Sequence, residues 1–157
     1  MLEQKIENFS KKNNVNFLYN YSLKKLNWFN IGGTAKVFFK PEKLEHLILF
    51  LKEFGNSSNI FVLGAGSNIL FNDNIYDGIV IKLGKNFSNI TLMPNKVIIA
   101  GAAASDKKLS EFAENNSIGG FEFLSCIPGT IGGGLKINSG CYGMEFKDIL
   151  LSVQVVD

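Results

Sequence analysis

The sequence predicts a mixed fold, an α/β segment followed by an α+β segment. Two observations predict it. Residues 35–68 read in the order strand, amphipathic helix, strand and glycine-rich loop, and after Gly78 the pattern changes to short alternating strands, a helix and three glycine clusters. With 157 residues, 46% of them hydrophobic and 19% charged, the chain has enough apolar sequence to bury roughly two-thirds of its unfolded surface.

Leu2, Ile6 and Phe9 fall on one helical face, and the pattern breaks at Asn13-Asn14, so a short leading helix and a connector are expected over residues 1–24. Ala35 to Phe39 read as a strand. Pro41 is expected to open a helix running to Phe54, with Leu44, Leu47, Ile48 and Leu51 at helical spacing. Ile60 to Leu63 is a buried-looking strand that stops at Gly64-Ala65-Gly66-Ser67-Asn68, within a first lobe placed at residues 25–75. The second lobe, residues 76–157, is expected to begin with a meander of Ile79–Leu83, Ile90–Leu92 and Val97–Ile99, turning at Pro94-Asn95. Ser105 is a cap for a helix through Asn115, whose apolar stripe is Leu109, Phe112 and Ala113. Leu151 to Asp157 has strand composition without a visible partner, and the chain is expected to be cut short there.

All sixteen cationic side chains are lysines, against fourteen acids. Without arginine there is no bidentate fork for phosphate or a guanine edge, so nucleic acid is not an expected partner. Phosphate must be held by backbone N–H groups, hydroxyls or lysine. The longest apolar runs, such as Leu47–Leu51, are far short of the roughly 18 residues of a membrane span. The N-terminal residues carry no secretory signal, and a cytoplasmic protein without a membrane partner is expected. Cys126 and Cys141 have no second pair or adjacent histidine and read as reduced, semi-buried thiols, while His46 reads as a solvated helix residue. No metal site is expected, and a Ser-His-Asp or Cys-His centre lacks its parts.

The glycine loops carry the chemistry. Gly64 to Asn68 follows a strand, so its N–H groups can converge on a pyrophosphate; a tight structural turn is the competing reading. Ile69 stands where the Rossmann fingerprint needs glycine or alanine, and Asn86 after Gly84-Lys85 defeats a Walker loop. Ile127-Pro128-Gly129-Thr130-Ile131-Gly132-Gly133 reads as a sharp turn feeding a short helix, with Thr130 as its N-cap and a second set of free N–H groups. Two such nests suit a diphosphate ligand, with two glycine turns and no ligand as the alternative.

Five motifs occur together: Asn27-Trp28-Phe29-Asn30-Ile31-Gly32-Gly33, Val62 to Asn68, Gly120-Phe121-Glu122-Phe123-Leu124, Ile127 to Gly133, and Asn138-Ser139-Gly140-Cys141-Tyr142-Gly143. Over about residues 25 to 157 they resemble the UDP-N-acetylenolpyruvoylglucosamine reductase family. The resemblance implies the FAD-binding fold of the vanillyl-alcohol-oxidase and p-cresol-methylhydroxylase type, α+β overall, with a small α/β lobe followed by a larger α+β lobe. It implies reduction of an enolpyruvyl UDP-sugar with FAD and NADPH in peptidoglycan precursor synthesis. It further implies that Gly64, Ala65, Gly66, Ser67 and Asn68 cradle the FAD pyrophosphate. Gly101, Ala102, Ile127, Pro128, Gly129, Thr130, Gly132 and Gly133 would line the flavin, and Tyr142 would lie near the UDP-sugar. Trp28, Ala103, Cys126 and Lys136 depart from the family pattern.

Family members run to about twice this length. Their Tyr-Arg-x-Ser arginine, serine proton donor and assisting acid would lie beyond residue 157, so no catalytic residue is assigned here, and a separate C-terminal half is an expected partner. Two other readings stand beside this one: another FAD-linked oxidoreductase of the same superfamily, and a non-catalytic flavin-binding or split-subunit module.

Overall fold

The structure, a computed structural model, describes residues 2–156 and consists of two compact units, one ending at Gly84 and one spanning Lys85–Val156.

In the first unit, α1 (Leu2–Asn13) buries Ile6 and Phe9, and the chain leaves it through Asn14 in the left-handed region, φ 51°. β1 (Phe17–Ser22) follows, a strand where only a connector was expected; it pairs antiparallel with β2 (Thr34–Phe39) from Phe17↔Phe39 to Ser22↔Thr34. α2 (Leu44–Phe54) begins later than expected. Pro41 is buried ahead of it, and its carbonyl accepts the Gly84 N–H at 2.9 Å, which holds the segment before Leu44 out of the helix. His46 is half-buried on α2.

β3 (Ile60–Val62) and β4 (Ile75–Ile81) complete a four-stranded sheet in the order β1-β2-β4-β3, with β4 parallel to both neighbours. The expected meander is therefore corrected at its first member. Ile79, Val80 and Ile81 are buried on both faces because β4 is the inner strand of a parallel array, and such strands read as continuous apolar runs. On one face Phe39, Phe50 and Phe54 pack with Phe9, with ring centroids 4.8 Å apart for Phe39–Phe50 and 5.5 Å for Phe9–Phe54. On the other face Phe38 and Val80 meet Ala35, Leu23 and Leu63.

The second unit opens with a hairpin, β5 (Ile90–Met93) and β6 (Val97–Ala100), whose connection passes through Asn95 and Lys96 at φ 61° and 60°. Ser105 caps α3 (Asp106–Asn115) as expected, its side chain accepting the Lys108 N–H at 3.3 Å. A 3₁₀ segment (Glu122–Cys126) leads to α4 (Ile131–Lys136). Beyond it lie a two-residue hairpin, β7 (Gly140–Cys141) and β8 (Met144–Glu145), and α5 (Phe146–Ile149). Leu109, Phe123, Leu124 and Phe146 form its core. Both cysteines are free, and Cys126 is exposed rather than semi-buried.

Residues 151–156 form no strand, contrary to expectation, because no neighbouring segment among the described residues pairs with their backbone. Asp157, the last member of that expected strand, lies outside the described residues. Among the described residues no helix is long and apolar enough to cross a membrane.

Candidate functional site

The Gly64–Asn68 loop starts where β3 ends. The Leu63 N–H donates to the Ile81 carbonyl at 2.8 Å as the last rung of the parallel ladder, and then the chain turns away. Among the described residues, the N–H groups of Gly64 through Asn68 donate to no main-chain or side-chain acceptor, although Gly66 is buried and Gly64, Ala65 and Ser67 are half-buried. Partly buried amides left without an acceptor favour an anion, since an unmet buried donor is costly.

Two contacts hold the loop's shape from outside. Gly66 adopts φ +77°, its carbonyl accepts the Trp28 N–H at 3.1 Å, and a Cβ there would collide with the Leu26 carbonyl. Asn27 is buried beneath this junction, donating from Nδ2 to the carbonyls of Leu23 at 3.0 Å and Ile31 at 2.8 Å. The Asn27–Gly33 motif is therefore the buttress of the glycine loop, with Trp28 and Phe29 left more than 60% exposed beside it. Lys82 follows β4, and its half-buried ammonium donates to the Gly64 carbonyl. Burial, and secondarily the charge of Lys40, push its pKa below the ordinary lysine value.

The Ile127–Gly133 turn is built differently. Its N–H groups at Ile127, Gly129, Ile131 and Gly132 donate to the carbonyls of Leu124, Ile127, Ala104 and Ala102, so within the segment Thr130 and Gly133 keep amides with no acceptor among the described residues. The expected open nest is a clamp instead, tied to the Gly101–Ala104 loop by bonds of 2.9 Å from Ile131 and Gly132. Thr130 sits at the N-cap position of α4 with extended φ −121°, yet its hydroxyl caps nothing, a second correction. Gly101 packs on the Phe87 carbonyl and Gly132 on Ala102, where a Cβ would come within 3.0 Å of the Ala102 side chain.

Under this turn lies Asp106, fully buried, with neither carboxyl oxygen hydrogen-bonded among the described residues. Burial raises its pKa to about 6. Its carboxyl faces Gly129, where a Cβ would overlap Oδ2.

Tyr142 occupies the tip of the β7–β8 hairpin with Gly143, at φ 53° and 81°, both positive as a type I′ turn requires. A tyrosine in that region is strained, and its side chain is 86% exposed.

The structure thus joins Ala102 and Ala104 to Gly132 and Ile131, leaves Gly101 packed on Phe87, and ties Gly64–Asn68 to Asn27–Gly33. Sequence reasoning missed Lys82, Asp106 and the buttressing role of Asn27. A lysine closing the apolar run Ile79–Ile81 was a usable signal for the first. Asp106 in the first turn of a helix looks like any solvated N-terminal acid.

Residues 35–157 match the model of a family described as FAD binding domain. The chain is 62% identical over 154 residues to a UDP-N-acetylenolpyruvoylglucosamine reductase of Pelagibacter ubique, covering 98% of this chain and 51% of that protein. It is 48% identical over 137 residues to the enzyme of that name from Rickettsia massiliae, covering 87% and 46%. The crystal structure of UDP-N-acetylenolpyruvylglucosamine reductase (MurB) from Thermus caldophilus matches with TM-score 0.68 and 28% identity, over 83% of this chain and 44% of that one. The chain spans about half the length of the curated relatives it matches.

Proposed function

Since the chain belongs to the FAD binding domain family, we propose that it is the flavin-holding portion of a cytoplasmic UDP-N-acetylenolpyruvoylglucosamine reductase. The acceptor-free amides of Gly64–Asn68 are the observation that carries this reading. They fit a dinucleotide's diphosphate, which needs several short donors and brings its own charge.

In this reading Gly64, Ala65, Gly66, Ser67 and Asn68 bind the pyrophosphate. Gly101 and Ala102 line the flavin, together with Ile127, Pro128, Gly129, Thr130, Gly132 and Gly133; the inward ties of that turn fix the wall against which a flat ring is oriented. Exposed Tyr142 meets the UDP-sugar. FAD, when bound, supplies hydride transfer between NADPH and the enolpyruvyl group. The chain's own part is to hold and orient the cofactor and to limit water at the ring. No side chain described here is assigned as the proton donor; that role falls to the other half of the relatives' length, supplied as part of one longer chain or as a separate polypeptide. The product serves peptidoglycan precursor synthesis.

The test is the visible spectrum of the purified chain. Flavin absorption that is released on heating, or regained by reconstitution with FAD, is expected; a colourless protein that takes up no FAD overturns the reading. NADPH oxidation that depends on the enolpyruvyl UDP-sugar, once the remaining half is supplied, separates a reductase from an FAD-linked oxidase.

A further inference from the structure

We infer that Lys82 is a cationic contact of the Gly64–Asn68 anion site, placed to engage the diphosphate beside the loop amides; this rests on the flavin reading above. The three parallel strands end in register, with Phe39 opposite Ile81 and Ile81 opposite Val62. The residues that follow, Lys40, Lys82 and Leu63, therefore emerge side by side at the carboxyl edge of the sheet, the edge where ligands of parallel α/β sheets bind. The Lys82 N–H donates to the Phe39 carbonyl at 3.0 Å, which fixes its backbone, and its ammonium reaches the Gly64 carbonyl.

A neutral carbonyl does not balance a half-buried ammonium. Among the described residues no carboxylate pairs with Lys82, whereas the acid at this edge, Glu42, stands 3.9 Å from Lys40. Burial and the Lys40 charge both disfavour the Lys82 cation. An anion seated on the adjacent amides reverses that penalty, because one bond to Gly64 leaves other ammonium N–H groups to donate. In a chain without arginine, lysine is the cation such a site must use.

The competing role is a staple that merely holds the loop through Gly64. Lys82→Met and Lys82→Arg separate the two when each full chain is titrated with FAD and with riboflavin, which lacks phosphate, at low and high salt. The expected result is FAD affinity weakened about tenfold in Lys82→Met, with less salt dependence, near-native FAD affinity in Lys82→Arg and riboflavin affinity unchanged in both. Native FAD affinity in Lys82→Met overturns the inference. So does equal loss of FAD and riboflavin, which marks a staple. If the unmodified chain binds no FAD, the flavin reading fails by itself, and inorganic pyrophosphate decides Lys82. Amide shifts at Gly64–Asn68 that Lys82→Met weakens uphold the anion site, and amides that do not respond overturn it.

Discussion

The Asp106 carboxyl lies against Gly129 so closely that a β-carbon on that glycine would overlap Oδ2. The only way to satisfy both groups is for residue 129 to have no side chain. Gly129→Ala is therefore expected to cost about 1–3 kcal/mol through overpacking. Urea denaturation reads this as a lower midpoint, and Asp106→Ser combined with Gly129→Ala should recover part of it; full additivity of the two changes would remove the contact as the cause.

Asp106 also sets a pH dependence. Its folded pKa is raised to about 6 from the ordinary aspartate value of 3.8, so the folded state holds the proton more tightly than the unfolded chain. The stabilisation is complete below the unfolded value and falls as pH rises through 6, by roughly 3 kcal/mol at most. Stability measured from pH 3.5 to 8 should show this decline. Asp106→Asn should flatten it and exceed the native chain at pH 8, whereas an unchanged profile would assign the titration to another group.

Asn27 joins two carbonyls within a closed environment, and Asn27→Ala removes both bonds. The expected loss is about 1–2 kcal/mol, because the Ile31 carbonyl loses its donor while the Leu23 carbonyl keeps the Leu26 N–H at 2.9 Å. Hydrogen exchange at the Trp28 amide, which donates to Gly66, should accelerate with it. Unchanged protection there would separate the Asn27 knot from the glycine loop.

Tyr142 holds a conformation that asparagine adopts more readily. Tyr142→Asn is expected to raise stability by about 0.5–1 kcal/mol, seen as a higher Tm. Under the proposed function, and with the remaining half supplied, the same change should weaken UDP-sugar affinity; a protein that gains stability and keeps that affinity would free Tyr142 of a ligand role.

α1, α2 and α3 were legible from their apolar spacing, α4 from the turn that feeds it and the β5–β6 hairpin from Pro94-Asn95, whereas the four-residue α5 is too short to show a periodicity. β1 was not, because Phe17, Tyr19 and Tyr21 are interleaved with Asn16 and Asn20, residues that also mark connectors. β4 was found in part but misassigned: a continuous apolar run fixes burial on both faces but not which strands lie alongside it. The glycine loops announced themselves in sequence, yet which of their amides stay free depends on partners far along the chain. Ala102 and Ala104 accept from the second turn, and nothing in Ile127–Gly133 indicates that.

The strand order has a consequence for synthesis. β4 is the last strand of its sheet to be translated and the only one that joins β2 to β3. A nascent chain that has emerged only as far as the segment before Ile75 can zip Phe17–Ser22 against Thr34–Phe39, but Ile60–Val62 must wait with its hydrogen-bonding edge bare. Ribosomes that pause in this interval would hold an adhesive intermediate, and the glycine loop would acquire its geometry only when the seventh decade of residues and the one after it had cleared the exit tunnel.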